Sequence, residues 1–248
     1  MIDFNQLSPD IDICTEASDT THARRIHALW QNFHQNSALI VDAEHLFAQI
    51  SADDWQSFYH TWQAIKCDTQ AEVALTDWLI RLFDALFNNA QLMQMPTRLV
   101  RGNGEPEYFP ADEQDVARIE FAHGFFQSAL HEISHWCVAG KHRRTLNDFG
   151  YWYEADGRNE TTQAIFEQVE ITPQAIECLL SLALGRYFYV SQDNLNADFD
   201  TSKSTFAQDV HAKALHYLNE PHTLPRDARR LLWAFLTLTH TPFYQSIH

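Results

Sequence analysis

FAHGFFQSALHEISHWCVAG, residues 121–140, is the stretch that decides how this chain is read. Gly124 opens and Gly140 closes a predicted helix. Phe126, Leu130, Ile133 and Cys137 recur at helical spacing and form an apolar stripe. His131 and His135 lie one turn apart, on roughly the opposite side. A helix buried by one face and presenting two imidazoles from the other suits a cleft. H-E-x-x-H is the spacing at which two imidazoles hold one metal ion. The bland alternative is a solvated His pair on a surface helix.

Two imidazoles need a third ligand. The extended metzincin pattern requires a glycine three residues past His135 and a histidine six residues past it, where this chain has Val138 and Lys141. His142 follows the Gly140 stop, so its direction is not fixed. Glu167 and Glu170, about thirty-five residues on, are the better candidates. A His₂–carboxylate set serves zinc in some peptidases and Fe(II) in oxygenases. In a peptidase Glu132 would polarise a metal-bound water. In an oxygenase it would stand beside the metal or act as an acid–base residue near the substrate.

Outward from this helix the texture changes on both sides. Before it come three short extended candidates, TRLVRG (97–102), EYFPA (107–111) and ARIEFA (117–122), around the turn Gly102-Asn103-Gly104. Earlier still, a helix capped by Asp68 or Thr69 runs to about Asn88. One or two helices cover 43–66. Residues 20–34 place Ile26, Leu29, Trp30 and Phe33 on one side of a helix, after an acidic lead-in. Beyond the His helix, 160–169 reads as helical. Thr172-Pro173 starts a new helix that ends at Gly185, and two more follow near 204–219 and 225–239. Helices, a few strands, then helices predict an α+β fold with a small mixed sheet and packed helices. Residues 1–75 read as a helical N-terminal extension and 76–248 as the domain that carries the site.

Composition narrows the function. The chain has 248 residues and a formal charge of -16, with 45% hydrophobic residues. No run approaches the roughly 20 apolar residues of a membrane span. The acidic N-terminus lacks the basic start and apolar stretch of a signal peptide. A cytoplasmic protein without a membrane partner is expected. The negative charge argues against general nucleic-acid binding. The one basic run, Lys141 to Arg144, could dock an acidic surface. Cys14, Cys67, Cys137 and Cys178 are far apart, which disfavours disulfides and a cysteine zinc knuckle.

DFGYWYEADGR (148–158) clusters aromatics between acids. Ring faces and carboxylates together attract a cationic group such as an ammonium. Tyr151, Tyr153, Glu154 and Asp156 are the candidates for that contact. Phe149 and Trp152 are as readily read as core residues.

These residues resemble the elongation factor P hydroxylases. The resemblance runs through RLVRGNGEPEYFPAD, RIEFAHGFFQSALHEISHWCVAGKHRR, LNDFGYWYEADGR, FEQVEITPQAIE and DNLNADFD, which cover most of residues 97–200. The last forty or so residues resemble the family more loosely, and residues 1–75 lie outside it. The resemblance implies a hydroxylase that uses a non-haem metal, Fe(II) in the first instance, with O₂ as co-substrate. Its substrate would be elongation factor P already carrying a β-lysyl group on a lysine. Carried over, the metal ligands are His131, His135 and Glu170, with Glu167 as second choice. Glu132 is the candidate catalytic residue, and Tyr151, Tyr153, Glu154 and Asp156 would hold the cationic arm. The implied fold is α+β, similar to a metal-dependent ribonuclease rather than to jelly-roll oxygenases, whose H-x-D strand pattern this chain lacks. The alternative for the same residues is a zinc-dependent hydrolase of gluzincin type. An RNA-cleaving nuclease and a binding module with a structural metal are further rivals.

Overall fold

A computed structural model of the chain describes residues 19–35, 41, 48, 50–68, 70–90, 93–151, 157–192, 194, 198–200 and 204–240. Its helices are α1 (Asp19–His34), α2 (Ala52–Ile65), α3 (Glu72–Phe87), α4 (Phe126–Val138), α5 (Glu160–Leu184), α6 (Phe206–Asn219) and α7 (Arg226–Thr239). Its strands are β1 (Thr97–Arg101), β2 (Glu107–Phe109) and β3 (Ala117–Phe121). The fold of the described residues is α+β.

Alternation builds the sheet. Thr97, Leu99, Tyr108, Ala117, Ile119 and Phe121 are buried, and the residues between them are more exposed. On the wetter face Arg118 pairs with Glu120 at 2.7 Å and lays its guanidinium over the Phe109 ring. Such a sheet buries one face and solvates the other. The strand order is β1-β3-β2, with β3 parallel to β1 and antiparallel to β2, so the small sheet is mixed. The central strand leads directly into the His helix. The turn between them puts His123 at φ 52 and Gly124 at φ 76. This left-handed backbone favours glycine, and here it redirects the chain instead of opening the helix. Helix α4 begins at Phe126, whose N–H donates to the Glu72 carboxylate at 2.5 Å. An acid at that end also opposes the positive pole of the helix.

Apolar contacts fix the orientation of α4. Phe126, Leu130, Ile133 and Cys137 are buried, as the stripe requires. Trp136 packs edge-on against Phe83 and Phe87 of α3, and its indole N–H donates to Thr97 Oγ1. Helix α2 joins the same core through Trp62 against Trp78, which in turn stacks on Phe235 of α7. Ile26, Leu29 and Phe33 of α1 are buried in it as well.

Two expectations are corrected. The helix break at Thr172-Pro173 does not occur: α5 is one helix of 25 residues with Pro173 inside it. An interior proline costs about 3 kcal/mol. Ile176, Leu179, Leu180, Leu182 and Leu184 are all buried just beyond it. Each contributes roughly 1.5–3 kcal/mol on burial, so packing outweighs the proline. The helix does end at Gly185, at φ 67, with Gly185 N–H donating to Leu182 and Arg186 N–H to Ser181. Helix α3 starts at Glu72, without a side-chain cap. Asp68 instead accepts from the Gln70 N–H in the preceding turn, while Thr69 lies outside the described residues.

Candidate metal centre

Helices α4 and α5 pack against each other and bring three side chains to one point. His131 and His135 come from α4, and Glu170 from the middle of α5. The two Nε2 atoms are 3.1 Å apart. Glu170 Oε1 lies 3.1 Å from His135 Nε2, and Oε2 lies 3.6 Å from His131 Nε2. Donors about 2.1 Å from a common ion are about 3.0 Å apart at right angles and about 3.4 Å apart at tetrahedral angles. The trio fits one divalent ion. Among the described residues no other His, Cys, Asp or Glu trio comes so close. Three protein donors leave coordination positions free. The imidazoles border solvent, with His131 30% exposed against 7% for Glu170.

Glu167, three residues before Glu170, is engaged elsewhere. It accepts from Gln163 Nε2 at 3.1 Å and from the Ser204 hydroxyl at 2.8 Å.

Charge compensation is built into the site. Burial alone would lower the His131 pKa, but the bonded carboxylate of Glu177, with Glu170 and Glu132, raises it to about 10. Burial would raise Glu170, but His135, His131 and a bond from Gln174 bring it down to about 2. Glu132 is half-buried, and burial pushes its carboxyl up against the pull of His131 and His135.

Glu177 and Gln174 escaped the sequence reading. Glu177 Oε2 lies 2.9 Å from His131 Nδ1. A carboxylate can only accept, so Nδ1 carries a proton and Nε2 is the nitrogen left to give its lone pair to a metal when one binds. Glu170, Gln174 and Glu177 sit at i, i+4 and i+7, one face of a continuous helix. That signal was present but hidden by the supposed break at Pro173, since a restarted helix has no fixed phase with the residues before it.

Tyr151 is half-buried, and the Arg143 guanidinium lies 4.1 Å from its ring centre, so one ring face already carries a cation. Tyr153, Glu154 and Asp156 lie outside the described residues. The basic run is split. Arg144 is buried over Trp136, 2.8 Å from Asp227, and its carbonyl accepts from Tyr108 Oη. Any docking role falls to Lys141, His142 and Arg143. Among the described residues no helix is long and apolar enough to cross a membrane.

A family model described as elongation factor P hydroxylase matches residues 82–247. The chain belongs to the elongation factor P hydroxylase family. It is also similar to a protein of Haemophilus influenzae named elongation factor P lysine hydroxylase. The two are 46% identical over 158 residues, covering 63% of this chain and 87% of the relative. The family match begins inside α3 and takes in all three strands and both helices of the metal centre.

Proposed function

We propose that this protein hydroxylates a lysine of elongation factor P that already carries a β-lysyl group, using O₂ and Fe(II) held by His131, His135 and Glu170. Family membership is the observation that carries the reading. The clustered His₂–carboxylate donors supply the chemistry a hydroxylase needs. When bound, Fe(II) supplies redox chemistry with O₂, for which imidazole and carboxylate donors with open positions are the suited set.

The chain's own residues prepare the site. Glu177 keeps the Nδ1 proton on His131 and so presents Nε2. Gln174 steadies the Glu170 carboxylate. Glu132, beside both imidazoles in sequence, is proposed to move a proton near the substrate. Tyr151, Tyr153, Glu154 and Asp156 are proposed to hold the cationic lysyl arm so that its reacting carbon stays near the metal. We assign the activity to residues 76–248 and treat residues 1–75 as a helical extension of it. A cytoplasmic setting suits a translation-factor substrate, and a charge of -16 suits a protein that is not a general nucleic-acid binder.

The test is the intact mass of β-lysylated elongation factor P after incubation with this protein, Fe(II), a reductant and O₂. The expected result is a gain of one oxygen atom, absent without O₂ and absent with His131→Ala. Peptide cleavage by the zinc-loaded protein, without need of O₂, would instead favour the hydrolase that shares this donor set.

A further inference from the structure

Gln174 is 2% exposed and is held from two sides. Its Nε2 donates to the Ser191 carbonyl at 2.8 Å and to Glu170 Oε2 at 3.2 Å, and its Oε1 accepts the Ser191 N–H at 3.0 Å. Amide and peptide therefore pair like two rungs of a ladder. Reversing the amide would set Oε1 against the Ser191 carbonyl and a carboxylate oxygen, and NH₂ against an N–H. All three contacts would turn repulsive, so the orientation is fixed.

Ser191 is itself anchored. The next carbonyl, of Gln192, accepts from Gln163 Nε2 at 3.0 Å and from Arg158 at 3.3 Å. Asn194 donates to the Arg158 carbonyl at 3.0 Å. Arg158, Gln163 and Asn194 are all buried. A buried, mutually satisfied polar network of this kind is rigid.

The geometry points to Gln174 as the residue that makes Glu170 bind metal through one oxygen. Oε1 lies 3.1 Å from His135 Nε2, while Oε2, 3.6 Å from His131 Nε2, is the oxygen that accepts the bond from the locked amide. A fixed N–H donor on one carboxylate oxygen weakens that oxygen as a donor and favours metal binding through the other. One more position on the ion then stays free for small ligands. Gln174 is thus a positioning residue acting through Glu170. This inference rests on the metal-centre part of the proposed function and not on the hydroxylation itself.

The experiment is X-ray absorption on the full-length protein loaded with Co(II) alone, without substrate or O₂. In the wild type we expect one carboxylate oxygen and no carbon shell of a chelating carboxylate. In Gln174→Leu that shell should appear, and Co(II) should bind about 10–100-fold less tightly. Gln174→Met, which fills the same space without an amide, serves if the Leu variant does not fold by circular dichroism. A chelating carboxylate in the wild type, or folded variants identical to wild type in shell and affinity, would overturn the inference alone. Absence of Co(II) binding that depends on His131 would overturn it together with the metal centre. Failure of hydroxylation, with these spectra as expected, would overturn only the hydroxylase reading.

Discussion

Two pairs of imidazoles approach each other in this protein, and they have opposite fates. At the α4–α5 centre, His131 and His135 are 3.1 Å apart. Where α1 meets the end of α7, His27 Nδ1 and His240 Nε2 are 2.8 Å apart. The first pair has carboxylates on two sides, and His131 is raised to about 10. The second is packed in aromatic rings, with Trp30 stacked on both His34 and His240. There, burial and then the charge of His27 lower His240 to about 4. Proximity of imidazoles therefore does not make a metal site. Glu170 and Glu177 make the first pair a candidate cation site, and among the described residues the second pair belongs to no such trio.

The sharpest way to break this contrast is to remove ligands from each pair. His131→Ala or His135→Ala should weaken divalent metal binding more than about 100-fold, beyond the 10–100-fold cost of losing an outer partner. His27→Ala should leave metal affinity within about twofold of wild type. Calorimetric titration with Zn(II) measures both, and equal losses at the two pairs would end the comparison.

A smaller effect belongs to the partner behind His131. Glu177→Gln keeps the shape but removes the charge that raises His131 most. We expect metal affinity to fall by about tenfold and the His131 pKa of the metal-free protein to drop toward ordinary values. Titration of the His131 ring by NMR reads this directly. An unmoved His131 with unmoved affinity would make Glu177 a bystander.

Glu167→Gln separates the two acids of the FEQVE stretch. It disturbs bonds to Gln163 and Ser204, so it should cost on the order of 1 kcal/mol of stability while leaving metal affinity within about twofold. Glu170→Gln should lose the metal and also lower the melting temperature of the metal-free protein, because its buried carboxylate is held by His135, His131 and Gln174. A metal defect in Glu167→Gln would mean that the acids have exchanged roles.

What could be seen in the sequence follows the same division. The stripe Phe126, Leu130, Ile133, Cys137 repeats at 3.6 residues, so periodicity alone gave the face and the phase of α4. The strands of the sheet were legible because burial alternates along them. Helix α5 was not legible as one element, because Pro173 is a strong local signal and the burial that overrides it depends on neighbours far away in sequence. Glu177, Gln174 and Arg144 reach partners 46, 17 and 83 residues away. No local pattern encodes such contacts. Arg144 read as surface charge because only the fold sets it over Trp136 and against Asp227.

The histidine pairs also differ in how they answer pH, and this is the weakest expected effect. His240 takes up a proton near 6.5 in the unfolded chain but only near 4 in the folded one. Between those values the unfolded state binds more protons, so stability falls as pH drops from about 6.5 to about 4 and levels off below. Metal-free His131 runs the other way, since its folded value is raised. Its contribution is complete below about 6.5 and is lost as pH rises through about 10. Wild type should therefore lose more stability on acidification than His240→Gln, which has no imidazole to protonate. A difference on the order of 1 kcal/mol would appear as about 2–4 °C in melting temperature for a chain of this size. The loss should begin at the α1–α7 contact, where Trp30 stacks with His27, His34 and His240. Hydrogen exchange should accordingly accelerate first in α1, at pH 5, while α4 and α5 remain protected. Uniform acceleration across all helices, or identical acid profiles for wild type and His240→Gln, would sink the assignment of acid sensitivity to this pair.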